Sequence, residues 1–219
     1  MPHPFTPFQP LADRLLHAFD ADGTDGSHDL SHIVRVWRNA VRIARTEPAA
    51  DLELLLAAVI LHDCVAVEKS SPLRTQASRL SAARAREIVA GLGWPPARVD
   101  GLAHAIETHS FSAGLTPDTP EAKILQDADR LDAIGAVGIA RCFHVGGRMG
   151  GRLYHPDDPR AAARPLDDRS WALDHFPAKL LKVADGFLTP EGQRMAAVRA
   201  ALMRDYVAAF LNEIEGGAV

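Results

Sequence analysis

Residues 51–63 read DLELLLAAVILHD, a helix-length run in which nearly every position is apolar. A helix that is apolar on all its faces belongs in the interior of a protein rather than on its surface. The run therefore predicts a central buried helix against which other helices pack. It ends on His62 and Asp63, which places an imidazole and a carboxylate at the end of the most buried element.

The rest of the chain shows helical periodicity, and no segment shows the alternation that is typical of a strand. Ser27 is the predicted N-cap of the second helix. The predicted helices cover residues 10–20, 27–46, 77–91, 97–109, 119–143 with a break near Asp127–Asp129, 172–188, and 190–214. We therefore predict an all-α fold.

Glycine, proline and charge concentrate between His144 and Ser170, in GGRMGG, HPDDP and ARPLDD. Such a segment adds little to a core and is typical of lids and binding loops, so we interpret residues 144–170 as an irregular, mobile flap. The chain is then predicted to be a single-domain helical bundle over residues 1–219. Its core spans about residues 24–143, and helices over 171–215 close the domain.

Charge and composition exclude several classes of function. The net charge of -4 is spread over both signs with no polybasic tail, which argues against duplex nucleic acid or an anionic membrane as partner. No apolar run reaches the ~18 residues of a membrane span, and MPHPFTPFQP lacks the order of a signal peptide, so a cytoplasmic location is expected. Cys64 and Cys142 lie far apart, so any metal would be bound through nitrogen and oxygen.

His62 and Asp63 are candidates for binding one metal ion together. Successive helix residues point about 100° apart, so both side chains reach one ion only if it lies beyond the helix end. In the alternative interpretation, Asp63 caps a following turn and His62 is a hydrogen-bonded core histidine. His32 begins another helix with Arg35 one turn later, and a single histidine there is more often structural than a ligand.

Three carboxylates crowd the sequence QDADRLDAIGAVGIA, where Asp127, Asp129 and Asp132 stand beside a strongly apolar run. Acids this close repel one another unless a cation or arginines intervene. We expect Asp127 at the surface. Asp132 lies one turn from Asp129, and we predict that it supports catalysis by holding Asp129 in place.

His32, the LHD of Leu61–Asp63 and the DADRLD of Asp127–Asp132 together resemble the H…HD…D signature of the HD-domain phosphohydrolase superfamily. The contexts SHDLSHIVRVWRNA, AAVILHDC and EAKILQDADRLDAIGAVGIARCF extend the resemblance over about residues 10–215. It implies a divalent metal bound by His32, His62, Asp63 and Asp129, with Asp63 also catalytic. The chain is most similar to small bacterial HD hydrolases of nucleotides, including nucleoside triphosphate pyrophosphohydrolases.

The chain departs from some HD families. Where certain nucleotidases and (p)ppGpp hydrolases carry an acid three or four positions after the HD pair, this sequence has Ala66 and Val67, and Glu68 follows one position later. No Gly-Lys follows Asp63, which disfavours the dinuclear site of cyclic-dinucleotide phosphodiesterases. Phosphomonoesterase (5'-nucleotidase) or phosphodiesterase activity remains an alternative, as does a noncatalytic module that senses a nucleotide or a metal.

The ligand set itself indicates which ions fit. Two imidazoles and two carboxylates suit Mn²⁺, our first choice, or Fe²⁺, Co²⁺, Ni²⁺ or Zn²⁺, rather than an all-oxygen calcium site. An octahedral ion would keep two positions for a water molecule and a phosphoryl oxygen.

A phosphorylated substrate also needs positive charge. The stretch from Lys69 to Arg86 contains five basic residues and no acid, and we predict that Lys69, Arg74 and Arg79 contact phosphate. Arg84 and Arg86 are expected on a solvated helix face. We further predict that His109 stabilises charge on the phosphate or protonates a leaving oxygen.

Overall fold

The computed structural model describes residues 3–17, 30–67, 71, 73–110 and 114–217, without the side chain of Arg74. These residues are helical and form no strand, which confirms the all-α prediction. Three short elements supplement the α-helices: 3-10 helices at Arg74–Gln76 and Ala172–Asp174 and a π-helical turn at Phe176–Leu180. The α-helices are α1 (Gln9–Leu16), α2 (Leu30–Ala44), α3 (Leu52–Leu61), α4 (Ala77–Gly91), α5 (Pro96–His109), α6 (Pro120–Asp132), α7 (Gly135–Arg148), α8 (Leu181–Val183) and α9 (Pro190–Ile214).

Contacts divide the chain into two compact units, Met1–Asp129 and Arg130–Val219. The predicted single domain stays a prediction. In the described residues, no helix combines the length and the apolarity that crossing a bilayer requires. The predicted N-cap Ser27 lies outside the described residues.

The apolar run forms the centre of the first unit. Every residue from Leu54 to Leu61 is buried, and α1, α2, α4 and α5 all pack against α3. Asp51 fixes the start of this helix, because its carboxylate accepts hydrogen bonds from the amides of Glu53 and Leu54 at 3.0 Å. The position of His62 at the opposite end is thereby set by the length of a capped helix that is buried from Leu54 onward.

Aromatic packing organises the second unit. Phe143 of α7 lies about as close to Phe176 as to Tyr206 and Phe210 of α9, with ring centroids 6.0, 6.1 and 6.0 Å away respectively. Arg199 of α9 donates a hydrogen bond to the backbone carbonyl of Leu131. These contacts tie the C-terminal helix to the residues that follow Asp129.

The predicted helix break near Asp127–Asp129 is wrong. Helix α6 continues to Asp132, and the break lies at Ala133–Ile134. The turn from this break into α7 requires glycine at two positions. Gly135 has a φ of 77°, which only glycine adopts readily. A Cβ at Gly138 would lie 2.3 Å from the carbonyl oxygen of Ala133, so only glycine allows α7 to begin this close to α6.

The irregular segment begins at Met149 rather than at His144, because α7 continues to Arg148. The helix includes Gly146, where an added Cβ would lie 3.5 Å from that of Ala172, so tertiary packing outweighs the low helix propensity of glycine. In the later part of the segment, the Asp158 carboxylate accepts hydrogen bonds from the backbone amides of Ala162 and Ala163 and so stabilises this turn. The mobility of this segment stays a prediction.

Candidate metal centre

Three helices of the first unit deliver the predicted ligands to one place. His32 lies in the first turn of α2, His62 and Asp63 follow the last residue of α3, and Asp129 lies in α6. The two imidazoles are each only 1% exposed, whereas the carboxylate side chains of Asp63 and Asp129 are 34% and 29% exposed. The centre therefore has a buried nitrogen side and an oxygen side that solvent reaches.

The ligand atoms converge. Nε2 of His32 lies 3.3 Å from Nε2 of His62 and 3.6 Å from Oδ1 of Asp129. Nε2 of His62 lies 3.9 Å from the same Asp129 oxygen and 3.7 Å from Oδ2 of Asp63. Ligand atoms bound at ~2.1 Å would be about 3.0 Å apart at right angles and about 4.2 Å apart on opposite sides of an ion. The separations among His32, His62 and Asp129 fall within that range, so these three donors fit one divalent ion, and Asp63 adds a carboxylate oxygen beside His62.

The orientation of His62 is fixed by its own helix. Its Nδ1 lies 2.8 Å from the carbonyl oxygen of Val59, an acceptor, so Nδ1 carries the proton and Nε2 presents a lone pair to the centre. His62 is thus a hydrogen-bonded core histidine whose Nε2 also carries no proton, so the two interpretations of this residue are compatible. A hydrogen bond of this kind is the usual way in which proteins orient a metal-binding imidazole.

His109 also lies in the centre. It is the last residue of α5 and 5% exposed, and its Nδ1 lies 2.6 Å from the carbonyl of Ile106. Its Nε2 is 3.8 Å from Oδ1 of Asp63, and its ring packs edge-on against His62 with centroids 5.0 Å apart. His62, Asp63 and His109 thereby form a second group of potential ligands that shares His62 with the group of His32 and Asp129.

The surroundings of His109 favour its neutral form. Burial lowers its pKa and the nearby His62 lowers it further, against the opposing influence of Asp63 and Asp129. A neutral imidazole with its proton on Nδ1 has a lone pair on Nε2 and no proton there to give. The geometry therefore suits an acceptor or a ligand better than the predicted proton donor. Sequence reasoning missed this, although the carbonyl three residues earlier on the same helix orients His109 as it does His62.

The remaining acidic candidates are buried. Asp127 is 0% exposed, so its predicted surface position is wrong: α6 is covered on the side that this residue occupies. Asp132 is 1% exposed, and its Oδ2 lies 3.2 Å from an Nη1 of Arg141. This pairing compensates a buried charge within the second unit. The supporting catalytic role of Asp132 stays a prediction.

The basic candidates are not gathered at the centre by any described contact. Lys69 and the side chain of Arg74 lie outside the described part of the chain. Arg79 forms an exposed ion pair with Glu107, with 3.2 Å between Nε and Oε1. The predicted phosphate contacts of all three thus stay predictions. Arg84 and Arg86 pair on the solvated face of α4 with Glu87 and Asp100, as expected.

In the first unit, α2, the end of α3 and α6 bring two histidines and two aspartates close together. The fold and the site therefore define a helical protein with a histidine–aspartate centre. The model of the HD domain family matches residues 29–134, which include all four residues. YpgQ of Bacillus subtilis (strain 168) is 33% identical over 193 residues, which cover 86% of this chain and 85% of YpgQ. The chain belongs to the HD-domain superfamily of hydrolases.

Solved structures agree with this assignment. The crystal structure of selenomethionine YpgQ from Bacillus subtilis has a TM-score of 0.73 at 32% identity, covering 96% of this chain and 99% of YpgQ. An HD-superfamily hydrolase from Bacillus thuringiensis has a TM-score of 0.72 at 28% identity, covering 94% and 97%. Bacillus subtilis YpgQ in complex with ADP has a TM-score of 0.69 at 31% identity, covering 94% and 93%.

Proposed function

We propose that this protein is a metal-dependent phosphohydrolase that hydrolyses nucleoside triphosphates and releases pyrophosphate. The convergence of His32, His62 and Asp129, with Asp63 next to the shared His62, carries the proposal. The substrate class is supported by a relative of 31% identity whose structure was solved with ADP. We propose Mn²⁺ as the ion, with Fe²⁺, Co²⁺, Ni²⁺ and Zn²⁺ as the other ions that suit these donors.

The four proposed ligands have two different roles. His32 and His62 hold the ion from the buried side, while Asp63 and Asp129 supply two negative charges that balance a dication. When bound, the ion acidifies the attacking water and polarises a phosphoryl oxygen. Because the aspartates are partly exposed, the substrate phosphates approach from their side. With Ala66 and Val67 where some relatives carry an acid, no motif-defined carboxylate base follows Asp63.

His109 is the protein group best placed to accept a hydrogen bond from the attacking water. Its Nε2 faces Oδ1 of Asp63 at 3.8 Å, and the bond from Nδ1 to Ile106 keeps the lone pair pointing into the centre. Lys69, Arg74 and Arg79 hold the phosphates, and the phosphate displaces the weak surface pair between Arg79 and Glu107. Asp132, anchored by Arg141, supports the end of α6.

The test is product identification with purified, manganese-loaded protein and three substrate panels: NTPs, dNTPs and nucleoside monophosphates. We expect pyrophosphate and a nucleoside monophosphate from the triphosphates. Asp63→Ala and Asp129→Ala should abolish turnover, whereas Asp205→Ala, which removes an exposed carboxylate on α9, should not. Orthophosphate released from monophosphates would instead support a phosphomonoesterase. Tight nucleotide binding without any turnover would support a noncatalytic sensor.

A further inference from the structure

Two buried carboxamides contact the backbone next to the metal centre. Asn39 of α2 is 7% exposed, and its Nδ2 donates a hydrogen bond of 3.1 Å to the carbonyl of Ala128. Gln126 of α6 is 4% exposed, and its Nε2 donates a hydrogen bond of 2.9 Å to the carbonyl of Thr108. Both bonds join residues distant in sequence, and all four partners belong to the first unit.

The acceptors have one feature in common. The carbonyl of Ala128 belongs to the peptide bond that leads into Asp129, and that of Thr108 to the peptide bond that leads into His109. Each carboxamide therefore restrains the peptide plane from which a side chain of the centre projects. In these bonds each carboxamide acts on the backbone that carries a side chain of the centre.

The two bonds also connect the helices that carry the ligands. Asn39 lies seven residues after His32 on α2, close to two helical turns, so its bond links the His32 helix to the Asp129 helix. Gln126 lies three residues before Asp129 on α6, and its bond links this helix to the end of α5 at His109. Helix α6 is thereby held from two sides at the level of Asp129.

A neutral amide suits these positions. Helix α5 ends at His109, so the Thr108 carbonyl is among the last four of the helix and lacks a partner within it. A buried carbonyl without a donor is costly, and lysine or arginine would satisfy it only by placing a positive charge beside a cation site. The carboxamide satisfies the carbonyl and leaves the charge of the centre unchanged.

We propose that Asn39 and Gln126 are positioning residues that set the separation of Asp129 from His32 and of Asp129 from His109. The inference rests on the proposed function, because it concerns the same metal centre. Supporting residues that orient metal ligands typically change metal affinity by about 10- to 100-fold when they are replaced. Asp129 Oδ1 lies 3.6 Å from Nε2 of His32, so a shift of α6 by a fraction of an ångström changes the ligand cage.

The test is calorimetric titration of metal-free protein with Mn²⁺, combined with thermal unfolding in EDTA. Asn39→Leu and Gln126→Met keep approximate size and remove the donor, and each should weaken Mn²⁺ binding roughly 10- to 100-fold. Val89→Ala is the matched control, because it truncates a fully buried side chain of α4, which carries no metal ligand. It should lower the unfolding temperature comparably and leave Mn²⁺ affinity within about twofold of wild type, since it removes only core packing.

Three outcomes separate the possibilities. Wild-type affinity in both carboxamide variants would overturn the inference, as would an equal loss of affinity in Val89→Ala. If the apolar variants do not fold, Asn39→Ala and Gln126→Ala carry the same expectation and are measured instead. A wild-type chain that binds none of Mn²⁺, Fe²⁺, Co²⁺, Ni²⁺ and Zn²⁺ would overturn the proposed function itself, and the inference with it.

Discussion

Replacing Asp129 by asparagine removes one proposed charged ligand and keeps the size of the side chain. In wild type, Oδ1 of this residue lies 3.6 Å from His32 Nε2 and 3.9 Å from His62 Nε2, so one carboxylate oxygen is close to both imidazole nitrogens. We expect Asp129→Asn to abolish most of the stabilisation that Mn²⁺ gives to the folded protein. The unfolded chain lacks the centre, and binding therefore favours the native state.

The magnitude follows from linkage. At a Mn²⁺ concentration of 100 times the wild-type Kd, binding stabilises the native state by about 2.7 kcal/mol. Loss of a direct ligand should weaken binding by at least about 100-fold, the upper end of what supporting residues cause. The same concentration then stabilises the variant by only about 0.4 kcal/mol. The difference of about 2.3 kcal/mol corresponds to a shift in unfolding temperature of about 5–9 °C for a chain of this length.

Differential scanning calorimetry with MnCl₂ and with EDTA measures this difference. Asp205→Asn is the matched control, because it makes the same chemical change at an exposed position of α9. Its Mn²⁺-dependent shift should equal that of wild type. If Asp129→Asn retained the full shift, Asp129 would not be a ligand and the geometry of the centre would have been misinterpreted.

Two further predictions concern other features of the structure. Gly138→Ala should destabilise the protein by about 1–3 kcal/mol or more, because the added Cβ would meet the Ala133 carbonyl. Gly147→Ala lies in the same helix but has open space around it, so it should stabilise the protein by about 0.4–1 kcal/mol. Urea unfolding compares the two, and equal effects would contradict the account of the α6–α7 turn. Burial, with a contribution from Asp168, raises the pKa of Cys142 to about 11, so the thiol should remain protonated at pH 7.5. Peptide mapping after iodoacetamide should find Cys142 unmodified in native protein and modified in urea, and rapid native labelling would contradict this.

Much of the fold follows from local patterns. The run at residues 51–63 predicted a buried central helix because apolar side chains on every face leave no surface for solvent, and α3 is fully buried from Leu54 onward. The predicted and observed bounds of α4 agree at residues 77–91. The helix break and the start of the irregular segment were misplaced, because both depend on how closely Gly138 and Gly146 approach residues of neighbouring elements.

The candidate ligands His32, His62, Asp63 and Asp129 could be named from the sequence, since their order and contexts resemble one superfamily. Their mutual distances could not, because residues 30 positions apart in the chain, such as His32 and His62, meet only through the packing of α2 on α3. The environments of two other acids could not be predicted from the sequence either. The burial of Asp127 and the pairing of Asp132 with Arg141 depend on what covers α6, which periodicity does not specify.

The sequence by itself determined the helical class and the buried central helix, because these properties reside in side-chain chemistry and local spacing, and its resemblance to one superfamily named the candidate nitrogen and oxygen donors. Only the tertiary structure decided that His109 joins the centre with its lone pair on Nε2, and that Asn39 and Gln126 brace the backbone beside Asp129 and His109. Such contacts arise between helices, and a hydrogen bond forms only where packing has already brought donor and acceptor within about 3 Å.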